Sequence, residues 1–106
     1  MAEKELNSRN DLENVIRDGV TLVDFNAPWC GPCRAQEPIL LALDKRYNGR
    51  ANIAKMNIDE NGDVAMHMGI QSIPTLVVFK DGQEVNRLVG LQKAETLNRV
   101  LDQALA

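Results

Sequence analysis

The chain has little cysteine, no long apolar run and no cluster of basic residues, and each absence excludes a class of protein. Two cysteines among 106 residues are too few for a disulfide framework. No apolar run approaches the ~20 residues that span a bilayer, and none follows Met1-Ala2-Glu3 as the apolar region of a secretory signal would. We therefore expect a cytoplasmic protein that does not associate with membranes.

Charge and size limit the expected partners and the number of domains. The formal net charge is −3, and no stripe of Lys and Arg of the kind that binds nucleic acid is present. Nucleic acid is therefore not an expected partner. With 44% hydrophobic residues, a chain of this length can bury one core without metal or disulfide staples. We predict a single domain over residues 1–106.

Both cysteines lie in one short segment, Trp29-Cys30-Gly31-Pro32-Cys33. An apolar strand pattern precedes this segment and a helical pattern follows it, which predicts that Cys30 lies at a helix N-terminus. Unpaired N–H groups and the helix dipole favour a thiolate there, so thiol chemistry is the leading interpretation. Half of a zinc site and a static disulfide are the alternatives. One histidine and no second cysteine pair leave the chain short of four zinc ligands, so no metal is expected.

Hydrophobic periodicity predicts alternating strands and helices that end in a hairpin and a helix. This order indicates an α/β fold in which helices cover both faces of a mixed sheet. Asn10 and Glu13 are expected to form a capping box on the first helix. Asp81-Gly82 is a hairpin signal, and Pro38 is expected to kink the helix that contains it. The predicted helices are 11–18, 32–48, 63–68 and 93–105, and the predicted strands are 20–25, 52–58, 75–79 and 84–89.

Beyond the cysteine segment, several motifs occur in the order and spacing seen in thioredoxins, and the chain closely resembles that family over nearly its whole length. The resemblance implies the thioredoxin fold, a three-layer α/β/α arrangement with a central mixed five-stranded sheet and four helices. It also implies a short first strand near Lys4 to Leu6. The motifs are Val23-Asp24-Phe25, Trp29 to Cys33, Pro38, Asn57-Ile58-Asp59, Ile73-Pro74-Thr75, Asp81-Gly82 and Val89-Gly90.

The same resemblance implies an enzyme that reduces protein disulfides by dithiol–disulfide exchange. Cys30 would attack the substrate disulfide and Cys33 would resolve the mixed disulfide. Gly31 would allow tight backbone geometry, and Pro32 would supply a helix-compatible φ without an N–H. The expected partners are oxidised protein substrates and a thioredoxin reductase, with no bound cofactor and a monomeric chain. A disulfide oxidase or isomerase and a non-catalytic binding subunit remain alternatives.

Asp24 interrupts an apolar strand, where an ionised carboxylate is costly to bury, so an inward-facing Asp24 would have a raised pKa. The resemblance implies that Asp24 is a buried proton acceptor for Cys33 and that Lys55 lies near it and tunes it. The alternatives are a solvent-facing strand residue or a turn contact for Asp24, and a surface lysine for Lys55.

The resemblance also implies a flat apolar docking surface around the reactive cysteine. The Ile73-Pro74 bond would be cis and would expose the Ile73 backbone to an extended substrate peptide, whereas an ordinary trans loop proline is the alternative. Gly31 and Pro32 would lie at this surface beside Cys30. The other residues implied there are Trp29, Ile73, Pro74, Val89, Gly90 and Leu91.

Three features depart from the family pattern. Asn26 stands where many thioredoxins carry a second tryptophan, so packing beneath the active-site loop is expected to differ. Residues 34–37, Arg-Ala-Gln-Glu, are more polar than the family's usual stretch, which is expected to influence the potential or the choice of partner. Ser72 replaces a frequent glycine. We assign His67 no role.

Overall fold

The computed structural model describes residues 4–106, and within them five strands and four helices alternate much as the sequence predicts. The strands are β1 (Lys4–Leu6), β2 (Val20–Asn26), β3 (Ala51–Asn57), β4 (Thr75–Lys80) and β5 (Gln83–Val89). The helices are α1 (Arg9–Ile16), α2 (Gly31–Arg46), α3 (Gly62–His67) and α4 (Ala94–Leu105). No helix in this part of the chain is long and apolar enough to cross a membrane.

The five strands form one mixed sheet in the order β1-β3-β2-β4-β5. Strands β1, β3 and β2 run parallel, whereas β4 and β5 pair antiparallel. The central strand β2 is buried almost throughout because its neighbours β3 and β4 flank it and helices cover both of its faces. The strand predicted near Lys4 to Leu6 is present as β1 at one edge.

Side chains alternate between two apolar layers along β2. Val20 and Leu22 pack with residues of α2 and α4. Val23 and Phe25 pack with residues of α1 and α3 on the opposite face. By the same alternation Asp24 lies on the face that α2 covers. The three-layer arrangement therefore places one carboxyl group beneath the helix that carries the two cysteines.

The first helix begins earlier than the sequence suggested, and the prediction of Asn10 as its cap was wrong. Ser8 is the N-cap, with an extended backbone at φ −159° and ψ 165°, and its hydroxyl accepts a hydrogen bond from Asp11 N. The Asp11 carboxylate in turn accepts from Asn7 N at 2.8 Å. Because these two bonds fix the turn before Arg9, Asn10 falls inside the first helical turn instead of preceding it.

The hairpin between β4 and β5 has the predicted two-residue turn. Asp81 and Gly82 have positive φ angles of 51° and 87°, as a tight turn between twisted strands requires. Asp81 is also bonded to Gly19, whose N–H donates to the Asp81 carboxylate at 2.8 Å. The turn is thus anchored to the start of β2, at the end of the sheet that lies away from the cysteines.

Candidate redox site

Cys30 and Cys33 form a disulfide at the start of α2, with their Cα atoms 5.2 Å apart. Cys30 is the N-cap of that helix, and its sulfur accepts a hydrogen bond from Cys33 N at 3.2 Å. Both cysteines are only 5% exposed and pack against Ala27, Ile58 and Ile73. The Cys33 N–H of the first helical turn therefore points at the Cys30 sulfur, where it and the helix dipole stabilise negative charge.

The spacer between the cysteines takes the helical conformation. Pro32 lies in the first turn of α2, where its lack of an N–H leaves no bond unmade. Gly31 does not have a positive φ, and a Cβ added there would meet no atom within 4 Å. The backbone geometry at position 31 therefore does not require glycine.

The loop that precedes β4 lies against the disulfide. The Ile73-Pro74 bond is cis, as the family resemblance implied, and the Ile73 carbonyl oxygen is 3.8 Å from the Cys30 sulfur. Thr75 Oγ1 donates to the Ser72 carbonyl at 2.5 Å. Gly90 N donates to the Pro74 carbonyl at 2.7 Å. These contacts hold the end of β5 beside the loop that contacts Cys30.

Three large apolar side chains implied at the docking surface are exposed. Trp29 is 66% exposed, Val89 58% and Leu91 50%, although such side chains are usually buried in a protein of this size. Trp29 Nε1 donates to the Asp59 carboxylate at 2.9 Å, which fixes the indole ring next to the disulfide. In the sequence Asp59 is marked only as part of a family motif, so its contact with Trp29 went unpredicted.

Asp24 is buried, so the solvent-facing alternative is excluded. The pKa of Asp24 is raised from 3.8 to about 7. Burial is the main cause and the nearby Glu37 carboxylate adds to it, whereas the Asn26 amide and the Lys55 ammonium oppose the rise. Among residues 4–106, no hydrogen-bond partner reaches Asp24 Oδ1. A carboxyl group with a pKa near neutrality can take up or release a proton under ordinary conditions.

Lys55 lies directly beside Asp24 in the pairing of β2 with β3. Its ammonium group is 3.0 Å from Glu37 Oε1 and 3.9 Å from Glu5 Oε1. Glu37 belongs to α2, one turn after Cys33, so it reaches the same region as Asp24. In the sequence Glu37 stood out only for its polarity, and the signal for its location was the four-residue spacing from Cys33 on one helix face.

An open cleft of about 530 Å³ adjoins Cys33 and the residues around Asp24. Its lining is mixed, and Asn26, Arg34, Glu37 and Lys55 contribute the polar part. The short side chain of Asn26 thus lines a cleft at the position where a tryptophan would place an aromatic ring. The residues that line the cleft are Asn26, Ala27, Pro28, Cys33, Arg34, Glu37 and Lys55.

The polar residues that follow Cys33 lie in three different environments. Arg34 donates to the Pro28 carbonyl at 2.9 Å and lies at the surface. Gln36 is completely buried and contacts the backbone of Gln92. Glu37 faces Lys55. The sequence did not mark Gln36 or Gln92 as site residues, because their contact joins positions 56 residues apart.

Comparisons with known proteins agree with this geometry. A model of the thioredoxin family matches residues 3–103. A thioredoxin of Staphylococcus aureus is 48% identical over 95 residues, which are 90% of this chain and 91% of that relative.

Solved structures give the same result. A mutant thioredoxin from Halobacterium salinarum NRC-1 aligns with a TM-score of 0.92 at 34% identity, covering 99% of this chain and 92% of that one. Fasciola hepatica thioredoxin aligns with a TM-score of 0.87 at 34% identity, covering 95% of this chain and 98% of that one.

Proposed function

Because the chain belongs to the thioredoxin family and is a thiol–disulfide oxidoreductase that reduces protein disulfides, we propose that Cys30 is its attacking sulfur and Cys33 its resolving sulfur. The position of Cys30 as the cap of α2 supports this order, since the helix dipole and the Cys33 N–H favour a thiolate at Cys30. Cys33 lies one turn inside the helix and can reach Cys30 without backbone rearrangement.

The exchange has two steps. The Cys30 thiolate attacks one sulfur of the substrate disulfide, so a mixed disulfide forms and the other substrate sulfur leaves as a thiolate. Cys33 then loses its proton and attacks the Cys30 sulfur, which forms the Cys30–Cys33 disulfide and releases the second substrate sulfur. Two electrons pass from the enzyme to the substrate, and the released thiolates take up two protons.

Asp24 is the proposed acceptor of the Cys33 proton. Its burial beneath α2, its pKa of about 7 and its unpartnered Oδ1 within the described residues support this role. Lys55 is the proposed tuning residue, since its positive charge favours the ionised form of the neighbouring carboxyl group. Solvent in the adjoining cleft would carry the proton away from the site.

We further propose that the substrate peptide docks in an extended conformation against the exposed apolar surface beside the disulfide. The Ile73 backbone would pair with the peptide, and apolar side chains would cover its flanks. The exposure of Trp29, Val89 and Leu91 supports this assignment. The proposed docking residues are Trp29, Ile73, Pro74, Val89, Gly90 and Leu91, with Gly31 and Pro32 beside the attacking sulfur.

The proposed electron donor is a thioredoxin reductase, because a dithiol that has closed its disulfide must be reduced again by another molecule. We propose that residues 1–106 act as a monomeric single domain in the cytoplasm, with no bound cofactor. A reducing compartment would keep the pair as a dithiol between turnovers.

The first test is the reduction potential of the Cys30–Cys33 pair. The protein would be equilibrated with graded dithiothreitol or glutathione buffers, and both thiols would be followed by mass. We expect a two-electron midpoint near the roughly −270 mV that is general for thioredoxins. A midpoint near or above roughly −180 mV, the value of protein disulfide isomerase, would instead favour the oxidase or isomerase alternative.

A trapping experiment tests the order of the sulfurs. Cys33→Ser should accumulate a persistent mixed disulfide through Cys30 when it is mixed with an oxidised protein substrate, because the resolving thiolate is gone. Cys30→Ser is the matched control and should form none. Failure of Cys33→Ser to trap any substrate would refute the two-cysteine mechanism.

A further inference from the structure

Gln36 is a polar side chain with no exposed surface, and it lies three residues after Cys33 on α2. Its Oε1 accepts a hydrogen bond from Gln92 N at 2.7 Å. Its Nε2 donates to the Gln92 carbonyl at 3.0 Å. Both ends of one side-chain amide thus bond to the backbone of a single residue far away in sequence.

Gln92 belongs to the connection between β5 and α4, where no strand partner satisfies the backbone. Its own side chain donates to the carbonyls of Val89 and Gly90, each at 3.2 Å. Gly90 in turn donates to the Pro74 carbonyl. A continuous set of hydrogen bonds therefore runs from the helix of the two cysteines, through Gln36, to the segment that carries Val89, Gly90 and Leu91.

This bridge is specific to an amide. A side chain of similar size without polar atoms would fill the same space but would leave the N–H and C=O of Gln92 without these partners in a partly buried environment. A buried amide is itself costly to desolvate unless both of its ends are bonded, as they are here. Apolar packing alone therefore does not account for glutamine at this position.

We propose that Gln36 is a positioning residue that holds residues 89–92 at a fixed distance and orientation from the disulfide, and thereby sets the affinity for protein substrates. The inference rests on the proposed docking surface. Gln36 takes no part in the exchange of sulfur bonds. Small disulfides, which need only the Cys30 sulfur, do not depend on it.

The test compares two substrates in Gln36→Met, which keeps the side-chain length and removes both hydrogen bonds. Rate constants would be measured for the dithiol form with insulin and with hydroxyethyl disulfide. We expect the constant for insulin to fall about tenfold and the constant for hydroxyethyl disulfide to stay unchanged. Hydrogen exchange of the Gln92 amide should also become at least about tenfold faster. Gln83→Met, an exposed site on β5, is the matched control and should change none of these quantities.

Equal slowing of both substrates, or no change with either, would overturn the inference. If the unsubstituted protein reduces neither substrate, the proposed function fails instead, so the two failures are distinguishable. Should Gln36→Met not fold, Gln92→Ala decides the question, because it removes the bonds to Val89 and Gly90 from a partly exposed position. A selective loss with insulin would then support the inference, and an unchanged ratio of the two constants would overturn it.

Discussion

The side-chain amide of Asn26 donates to the Asp24 carboxylate at 3.4 Å and to the Asp24 carbonyl at 3.1 Å. Asn26 therefore places a donor beside a buried acid at the position where many thioredoxins carry an aromatic ring. This contact favours the ionised carboxylate, whereas burial and Glu37 disfavour it. The pKa of Asp24 near neutrality is the balance of these opposing effects.

The first prediction concerns the stability of the oxidised protein as pH changes. The pKa of Asp24 is about 7 in the folded protein and 3.8 for an unperturbed aspartate, so the folded state retains a proton that the unfolded state releases. The contribution of Asp24 to stability is therefore fully present below the lower value and is lost as pH rises through about 7. Asp24→Asn should remove this loss and stabilise the protein at alkaline pH by up to roughly 4 kcal/mol.

Urea unfolding at about pH 3 and about pH 8 measures this effect as the difference between variant and unsubstituted protein. The two proteins should have similar stability at the acid pH, where the side chain of residue 24 is neutral in each of them. Gln83→Met, which changes no titratable group at an exposed site, is the control and should show no such dependence. A difference that does not change with pH would contradict the raised pKa of Asp24.

The second prediction separates the neighbours of Asp24. Asn26→Ala removes a donor to the carboxylate and should raise the pKa of Asp24 above about 7. Glu37→Gln removes a nearby negative charge and keeps the size of the side chain, and it should lower the pKa of Asp24. Carbon-13 NMR of the Asp24 carboxyl group would follow both titrations. Shifts in the same direction would show that general repacking, and not these named interactions, controls the acid.

The third prediction compares two glycines of the site. Gly90 has a φ of +90°, and a Cβ there would meet no atom within 4 Å, so Gly90→Ala changes backbone strain without a clash. We expect a loss of about 1 kcal/mol or more in the free energy of unfolding. Gly31→Ala should be nearly neutral, because Gly31 is helical and its surroundings are open. Urea unfolding measures both, and equal effects would contradict the conformational explanation.

Local signals in the sequence predicted most of the fold but only part of the site. The turn at Asp81-Gly82 could be predicted because its chemistry lies in two adjacent residues. The lone acid in an apolar strand marked Asp24 as unusual, but its burial was implied by the family resemblance, since the strand pattern alone left a solvent-facing side chain open. In contrast, the partners of Gln36 and Glu37 depend on which distant segments the fold brings together. A buried glutamine and an exposed one have the same appearance in a sequence.

The cap of the first helix illustrates the same limit and gives the last prediction. Ser8 and Asn10 are both favoured capping residues, so local preference could not choose between them. The structure selects Ser8, whose hydroxyl accepts from Asp11 N at 3.1 Å. Ser8→Ala should therefore cost about 1 kcal/mol of stability, measured by urea unfolding of the oxidised protein. Asn10→Ala is the matched control and should be nearly neutral, since alanine is well suited to the exposed first turn of a helix. A larger loss from Asn10→Ala than from Ser8→Ala would mean that the helix in solution begins two residues later.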